Sequence, residues 1–331
     1  MLVFYIEKNR FYDIIYSYKK RDSMDINQLL TELNKCNWTW EFARIYNILK
    51  ELVYKGATFR QIEENCYFLT VYQIIDYLVR YNEGENLDPV CANAIINYYN
   101  TLNINQERCI VIADNHMGRL EFEENENDYN RIFYKNERGL HNAYNYAIKN
   151  NISNVINLGD IIEGNAFGEQ KRLTLKGENQ HQLEYFKRAY PNSNSIKTFL
   201  LFGNHEYDSI LHDGLNSKFY KVIPSIELIG INYTYINFCG YRLKLSHENK
   251  QTESFKNLHL KHELTLAGHS HNHALYEDIR IFKVPSISSI YYDDGFIELI
   301  NEEKVFRFRY IDGYGRIDNT KEKILSKSTN F

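Results

Sequence analysis

The sequence predicts an α/β domain preceded by a small α-helical N-terminal domain, and three observations predict it. Short apolar runs recur from Glu107 onward, at "CIVIA" (109–113), "VINL" (155–158), "TFLLF" (198–202), "YRLKL" (241–245) and "LTLA" (264–267), each of strand length. Between the first two lies "RGLHNAYNYAIKNN", helical by period, so the domain opens with a strand–helix–strand unit. Ahead of it, residues 1 to about 81 carry helical spacing instead.

The N-terminal elements follow in order. "DINQLLTELNKC" predicts one helix, and "TWEFARIYNILKELVYKG" a second, with Phe42, Ile45, Leu49 and Leu52 on one stripe and Gly56 as its C-terminal cap. "TFRQIEENCYFLTVYQIIDYLVRY" divides into a short helix at 58–65 and a second at about 70–81, the outline of a helix-turn-helix. Two readings stand for this domain: a DNA-binding module, or a helical protein-interaction or dimerisation module. Residues 1–105 hold 11 Lys and Arg against 13 Asp and Glu, which disfavours a phosphate-gripping surface. "NEGENLDP" (82–89) reads as a linker, continuing to about 105 with a short helix at 91–100, so the domains are expected at 1–81 and 106–315, with 316–331 as a C-terminal tail. Late in the chain, "RIFKVPSIS" and "GFIELINEEKVFRFRYI" alternate like the closing strands of a second sheet.

Composition excludes several classes. A chain of 331 residues with 44% hydrophobic and 25% charged residues builds packed domains rather than a disordered chain. A formal net charge of -4 argues against a surface coated in positive potential. Five cysteines with no CxxC pair suggest neither a disulfide framework nor a thiolate zinc site, which fits a reducing cytoplasm. The apolar "MLVFY" ends at Glu7, too short for a signal segment, and no apolar run reaches about 18 residues, so no membrane association is expected.

Each of the five apolar runs stops at a potential metal ligand. "VIADNH" supplies Asp114 and His116, "NLGD" Asp160, "LFGNHE" Asn204 and His205, "LKLSH" His247, and "LAGHSH" His269 and His271. Residues just beyond the carboxyl ends of strands in open α/β sheets converge on one crevice. Carboxylate, amide oxygen and imidazole together suit Mn, Fe, Zn or Ni better than Ca. One ion cannot use all these groups, and an aspartate can bridge two ions about 3.5–4 Å apart. The glycines before Asp160, Asn204 and His269 are expected to allow a sharp turn at each strand end.

The ordered set DxH, GD, GNHE, a lone strand-end His and GHxH resembles the calcineurin-like metallophosphoesterase superfamily over roughly residues 107–312. The resemblance implies two mixed β-sheets packed face to face and flanked by helices. Within it, "DNHMG" is more similar to the DxHxG of Mre11/SbcD-type nucleases than to protein phosphatases. The segment "GDIIEGN…HQLEYFKRAYP…IKTFLLFGNHE" is similar to bacterial and phage phosphoesterases that carry a helix-turn-helix.

Carried over position by position, the resemblance implies two divalent metal ions, with Mn first and Fe, Zn, Ni or Mg as alternatives. Asp114, His116, Asp160 and His271 would hold one; Asp160, Asn204, His247 and His269 the other, with Asp160 as the bridge. A hydroxide between the ions would attack phosphorus in line with the leaving oxygen, and His205 would assist the leaving group. Glu163 matches a position that in relatives is often Asp and hydrogen-bonds this histidine, while Glu206 is expected to anchor the GNHE turn through backbone donors.

The expected substrate is a phosphate ester. "GDIIEGN" lacks the Arg of the GDxxDRG form of protein phosphatases, carrying Gly164 and Asn165 at its end instead, and the DxHxG form favours a phosphodiesterase, with DNA as a candidate substrate. A phosphomonoesterase and a DNA-binding regulator using the fold as a scaffold are the alternatives. Lys171, Arg172 and Lys176 in the insert 168–180 could meet a phosphate backbone or simply face solvent. His273 is left over by the ligand count and is expected in solvent.

Overall fold

A computed structural model describes residues 24–37, 41–80, 87–118, 137–164, 179–212, 215–247, 260–288 and 294–328. The chain divides into two compact units, one within residues 1–98 and one within 99–331. The insert carrying Lys171, Arg172 and Lys176, and Asn165, lie outside the described residues.

The first unit is helical: α1 Ile26–Leu33, α2 Phe42–Tyr54, α3 Phe59–Asn65 and α4 Val71–Arg80, with α5 Pro89–Thr101 leading out of it. Asp25 and Thr58 cap α1 and α3 through reciprocal capping boxes with Gln28 and Gln61. Beyond the C-cap Lys55, Gly56 takes φ +85 and Ala57 N–H donates to Leu52 O at 2.9 Å, which closes α2 as its glycine predicts. The predicted stripe is buried at Ile45, Leu49 and Leu52. Helix α4, the second of the expected helix-turn-helix pair, has no exposed residue among those whose burial is described (71–79). A groove-reading helix must present an exposed face to base edges.

The second unit is built on two mixed sheets. The first runs in the order β13 Lys323–Ser326, β12 Val305–Asp312, β11 Gly295–Asn301, β2 Arg108–Ile112, β3 Asn154–Asn157, β4 Lys197–Phe202, β5 Ile226–Ile231. The second runs β6 Tyr233–Phe238, β7 Tyr241–Ser246, β8 Leu264–Ala267, β10 Ile281–Lys283, β9 Ala274–Tyr276, with β1 Asn103–Ile104 alongside β6. One register pair, Ile231 with Tyr233, links them. The predicted strand–helix–strand unit is β2, α6 Arg138–Lys149 and β3, which pair in parallel. Helices α7 Asn179–Ala189 and α8 Asn204–His212 flank β4 in sequence.

Two expectations are corrected here. Strands β11 and β12 do not close the second sheet: β11 pairs antiparallel with β2, so they extend the first. Alternation along β12 then turns Phe306, Phe308 and Tyr310 toward the second sheet. There Phe308 stacks on Phe282 of β10 at 4.2 Å and Phe306 meets Tyr241 at 5.3 Å, which is the face-to-face packing of the two sheets. Residues 316–331 are not merely a tail, because β13 pairs antiparallel with β12 as the edge strand of the first sheet.

Candidate metal centre

Parallel pairing of β2, β3 and β4, and of β7 with β8, brings the carboxyl ends of five strands to one edge. The strands are buried nearly throughout, as in sheets covered on both faces. Beyond their ends the parallel ladder continues through the ligand loops. Asp114 N–H donates to Gly159 O (3.0 Å), His116 N–H to Asp160 O (2.8 Å) and Glu163 N–H to Met117 O (2.9 Å).

Nine non-glycine residues take positive φ among the described residues, and five of them are predicted ligands: Asp114 (55°), His116 (49°), Asp160 (50°), His269 (66°) and His271 (53°). Each such conformation costs about 1–3 kcal/mol and persists only where its surroundings over-determine it. The glycines contribute differently from the sharp turns expected of all three. Gly159 does turn, with φ +104, whereas Gly203 serves close approach: a Cβ there would collide with Asp160 Oδ1 and come within 2.8 Å of His247 Cδ2.

Three clusters of ligand atoms result, each with its atoms within 4.8 Å of one another: Asp114, His116 and His271; His116, Asp160 and His205; and Asp160, His247 and His269. Asp160 belongs to two of them. Its Oδ1 accepts from His205 N–H at 3.0 Å, leaving Oδ2 at 2.9 Å from His247 Nε2, 3.8 Å from His205 Nε2 and 3.9 Å from His116 Nε2. Asn204 Oδ1 stands 3.1 Å from His247 Nε2. His247 Nδ1 lies 2.7 Å from Leu158 O, so it carries the proton and turns the Nε2 lone pair inward. Asp114 accepts from His269 N–H at 3.1 Å and lies 3.5 Å from His271 Nε2. Asp114, His116, Asp160 and His247 are buried and His269 is exposed, giving a dry floor with one open side.

Burial alone would raise Asp160, but His247, His205 and His116 around it hold it well below the usual carboxylate range. Burial opposes charging His247, yet the Asp160 carboxylate pushes it up to about 10. A buried carboxylate encircled by imidazoles attracts positive charge, and its oxygen and nitrogen donors, without thiolates, fit divalent transition metals.

Glu206 is wholly buried and accepts backbone N–H groups from Gly203 (2.8 Å), Ile162 (2.9 Å) and Asp160 (3.1 Å), the anchoring role expected of it. Burial, with repulsion from Asp160, raises it to about 7. Glu163 departs from expectation. Its carboxylate does not meet His205; Oε2 lies 2.8 Å from Nδ1 of His116, while its backbone carbonyl sits 2.5 Å from His205 Nδ1. Glu is one methylene longer than Asp, and its carboxylate reaches past His205 to His116. His273 is not left in solvent either: its ring packs on Phe282 (5.5 Å) and Tyr310 (5.0 Å). Gln182 on α7 lies within the quoted "HQLEYFKRAYP" stretch but is not singled out there as a site residue; it is fully buried and bonded to the backbone of Gly164.

The family model described as calcineurin-like phosphoesterase matches residues 107–313, more than half of the chain. The chain belongs to the calcineurin-like phosphoesterase family. It is accordingly a metal-dependent phosphoric ester hydrolase, of a family that uses divalent metals. No curated protein matches it. Among solved structures, it is similar to Yfce, a phosphoesterase from E. coli, at 13% identity, covering 67% of this chain and 98% of that one with a TM-score of 0.39. A conserved uncharacterized protein, a predicted phosphoesterase from Streptococcus pneumoniae, matches at 10% identity over 66% of this chain and 97% of that one, TM-score 0.37. A Thermotoga maritima protein solved by NMR matches at 13% identity over 62% and 99%, TM-score 0.34.

Proposed function

We propose that this calcineurin-like phosphoesterase hydrolyses phosphodiesters, DNA among them, with two divalent cations, manganese first. The observation that carries the reading is the placement of Asp160, a buried carboxylate shared by ligand clusters on both its sides. Asp114, His116 and His271 would complete one cation's set and Asn204, His247 and His269 the other. When bound, the cations supply a water acidified enough to act as nucleophile near neutral pH and neutralise the nonbridging oxygens.

The protein's own groups do the rest. Leu158 O and Asp160 fix the ring of His247, and the backbone carbonyl of Glu163 accepts a hydrogen bond from Nδ1–H of His205. His205 Nε2 then carries the proton for the leaving oxygen. Burial opposes that charge, but the carboxylates of Asp160 and Glu163 outweigh it and raise the histidine above its ordinary range. The cluster of His116, Asp160 and His205 makes His205 a possible ligand, yet a histidine already bonded at Nδ1 has one nitrogen left, and either ligation or proton delivery must take it.

Preference for a diester follows from charge. The ligand-bearing segments 112–118, 158–164, 202–207, 246–247 and 267–273 contain no Lys or Arg. With no Lys or Arg in these segments, nothing from them would offset the second negative charge of a monoester dianion beyond the cations themselves. We assign the N-terminal helical unit to a protein partner rather than to DNA, on its acidic balance and the lack of exposed residues over 71–79 of α4. No helix among the described residues is long and apolar enough to cross a membrane. All five cysteines are free thiols, which supports a reducing, cytoplasmic setting.

A metal-by-substrate screen tests the reading. EDTA-stripped protein should regain turnover of bis-p-nitrophenyl phosphate with Mn2+, outpace its own turnover of p-nitrophenyl phosphate, and cleave single- or double-stranded DNA. Faster turnover of the monoester would replace the diester reading. Inactivity of fully metallated protein on both esters would return the scaffold alternative.

A further inference from the structure

The loop after β3 is held at its far end by one side chain. Gln182 of α7, with 0% of its surface exposed, accepts from Gly164 N–H at 2.9 Å and donates to Gly164 O at 3.3 Å. The same side chain packs under Gly118, the last residue of "DNHMG": a Cβ on Gly118 would come within 3.2 Å of Gln182 Cγ. Gln182 therefore touches the terminal glycines of both loops that carry His116 and Asp160.

The residue next to Gly164 is Glu163, which faces two ways. Its carboxylate, 3% exposed like the His116 it approaches, stands 2.8 Å from His116 Nδ1, and its carbonyl oxygen stands 2.5 Å from His205 Nδ1. The approach is an ion-pair contact rather than an aligned hydrogen bond, and the negative charge beside Nδ1 favours the imidazole proton on that nitrogen, which leaves the Nε2 lone pair outward. His116 Nε2 does point away, to within 3.4 Å of His271 Nε2 and 3.9 Å of Asp160 Oδ2. One residue thus orients a metal ligand with its side chain and the acid with its backbone, and Gln182 immobilises the peptide that joins the two functions.

We propose that Gln182 and Glu163 form a positioning unit that holds His116 and His205 in register with each other. Neither touches substrate. The inference deepens the two-cation reading and rests on it for the identity of the ligand set. Its two arms differ in what they reach: the side-chain arm approaches His116 and adds negative charge beside His205, whereas the backbone arm aims the His205 ring.

Glu163→Ala removes only the side-chain arm. It should weaken Mn2+ binding, measured by titration calorimetry, by roughly 10- to 100-fold, and, because the same carboxylate helps to charge His205, it should also shift the pH profile of kcat on bis-p-nitrophenyl phosphate at saturating Mn2+. Glu163→Gln keeps an acceptor oxygen at the same reach and should restore affinity to within a few-fold. Gln182→Met keeps the volume but frees the Gly164 peptide, so both arms should suffer: weaker Mn2+ binding, and kcat lowered by roughly 10- to 100-fold even at saturation, with KM little changed. A merely structural glutamine would lower the melting temperature and leave both quantities intact.

Parent-like Mn2+ affinity in Glu163→Ala, or parent-like kcat and affinity in a folded Gln182→Met, overturns the proposal. Should Gln182→Met fail to fold, the Glu163→Ala and Glu163→Gln affinities decide it alone. Binding of a single Mn2+ by the unmutated protein would instead sink the two-cation reading, and the same affinity comparison would still judge the pair.

Discussion

Glu206→Ala should strongly destabilise the protein, although its neighbour His205→Ala should not. The Glu206 carboxylate accepts three buried backbone N–H groups, those of Gly203, Ile162 and Asp160, at 2.8, 2.9 and 3.1 Å. Leaving a buried donor unsatisfied costs about 1–3 kcal/mol, so truncation costs about 3–9 kcal/mol, against a total stability of about 5–15 kcal/mol for a typical protein. Glu206→Gln keeps one oxygen and places an amide NH2 against the donors that faced the other. If the oxygen stays with Ile162, two donors are lost, a cost of about 2–6 kcal/mol. The order of stability is therefore parent, Gln, Ala. Urea denaturation followed by circular dichroism, with Mn2+ and with EDTA, reads it out. The reasoning fails if Glu206→Gln matches the parent in stability while losing turnover, since the carboxylate would then act in the chemistry rather than in the turn.

Three further outcomes are expected. His205→Ala should keep both cations by calorimetry yet lose about 10²–10⁴-fold in kcat, the usual contribution of a proton donor; parent-like turnover would remove His205 from the mechanism. Asp160→Ala should lose metal and activity together, because both ligand clusters around that carboxylate lose their shared member, and metal analysis with the diester assay checks both. Glu137 at the head of α6 is buried, and burial, outweighing a Tyr185 hydroxyl at 3.4 Å, raises it from 4.5 to about 8. The folded chain thus holds a proton that the unfolded chain releases near 4.5. Stability from this group is full below 4.5 and is lost as pH rises through about 8, at up to about 1.4 kcal/mol per pH unit. Glu137→Gln should flatten that slope in denaturation midpoints; an unchanged slope would place the titration elsewhere.

The convergence of the candidate ligands is readable from the sequence because each is a local fact: an apolar run that stops at a carboxylate, amide or imidazole. Strand ends gather at one edge whatever the loops between them do, so order along the chain suffices to assemble Asp114, His116, Asp160, Asn204, His205, His247, His269 and His271. Glu206 is readable for the same reason, since its donors lie within its own turn and the loop that the turn faces. What escapes is set by distances between segments far apart in the chain. Nothing local tells β11 and β12 to join β2 rather than the second sheet. Their alternation fits either edge, and pairing with β2 at Ile297 to Val111 decides it.

That choice also decides His273. Once β12 lies in the first sheet, its Tyr310 reaches across to the histidine that spacing alone leaves for solvent. Glu163 fails locally in a different way, because a motif position fixes where a residue starts and not how far its side chain extends. One added methylene carries the carboxylate past His205, the proposed acid, to His116, a proposed ligand. The consequence is physical: an enzyme of this family can keep every ligand and still rewire which contact orients which histidine. Residues that merely follow the ligands, and partners such as Gln182 that lie on another helix, are therefore where members with the same motif string should differ in metal affinity and rate.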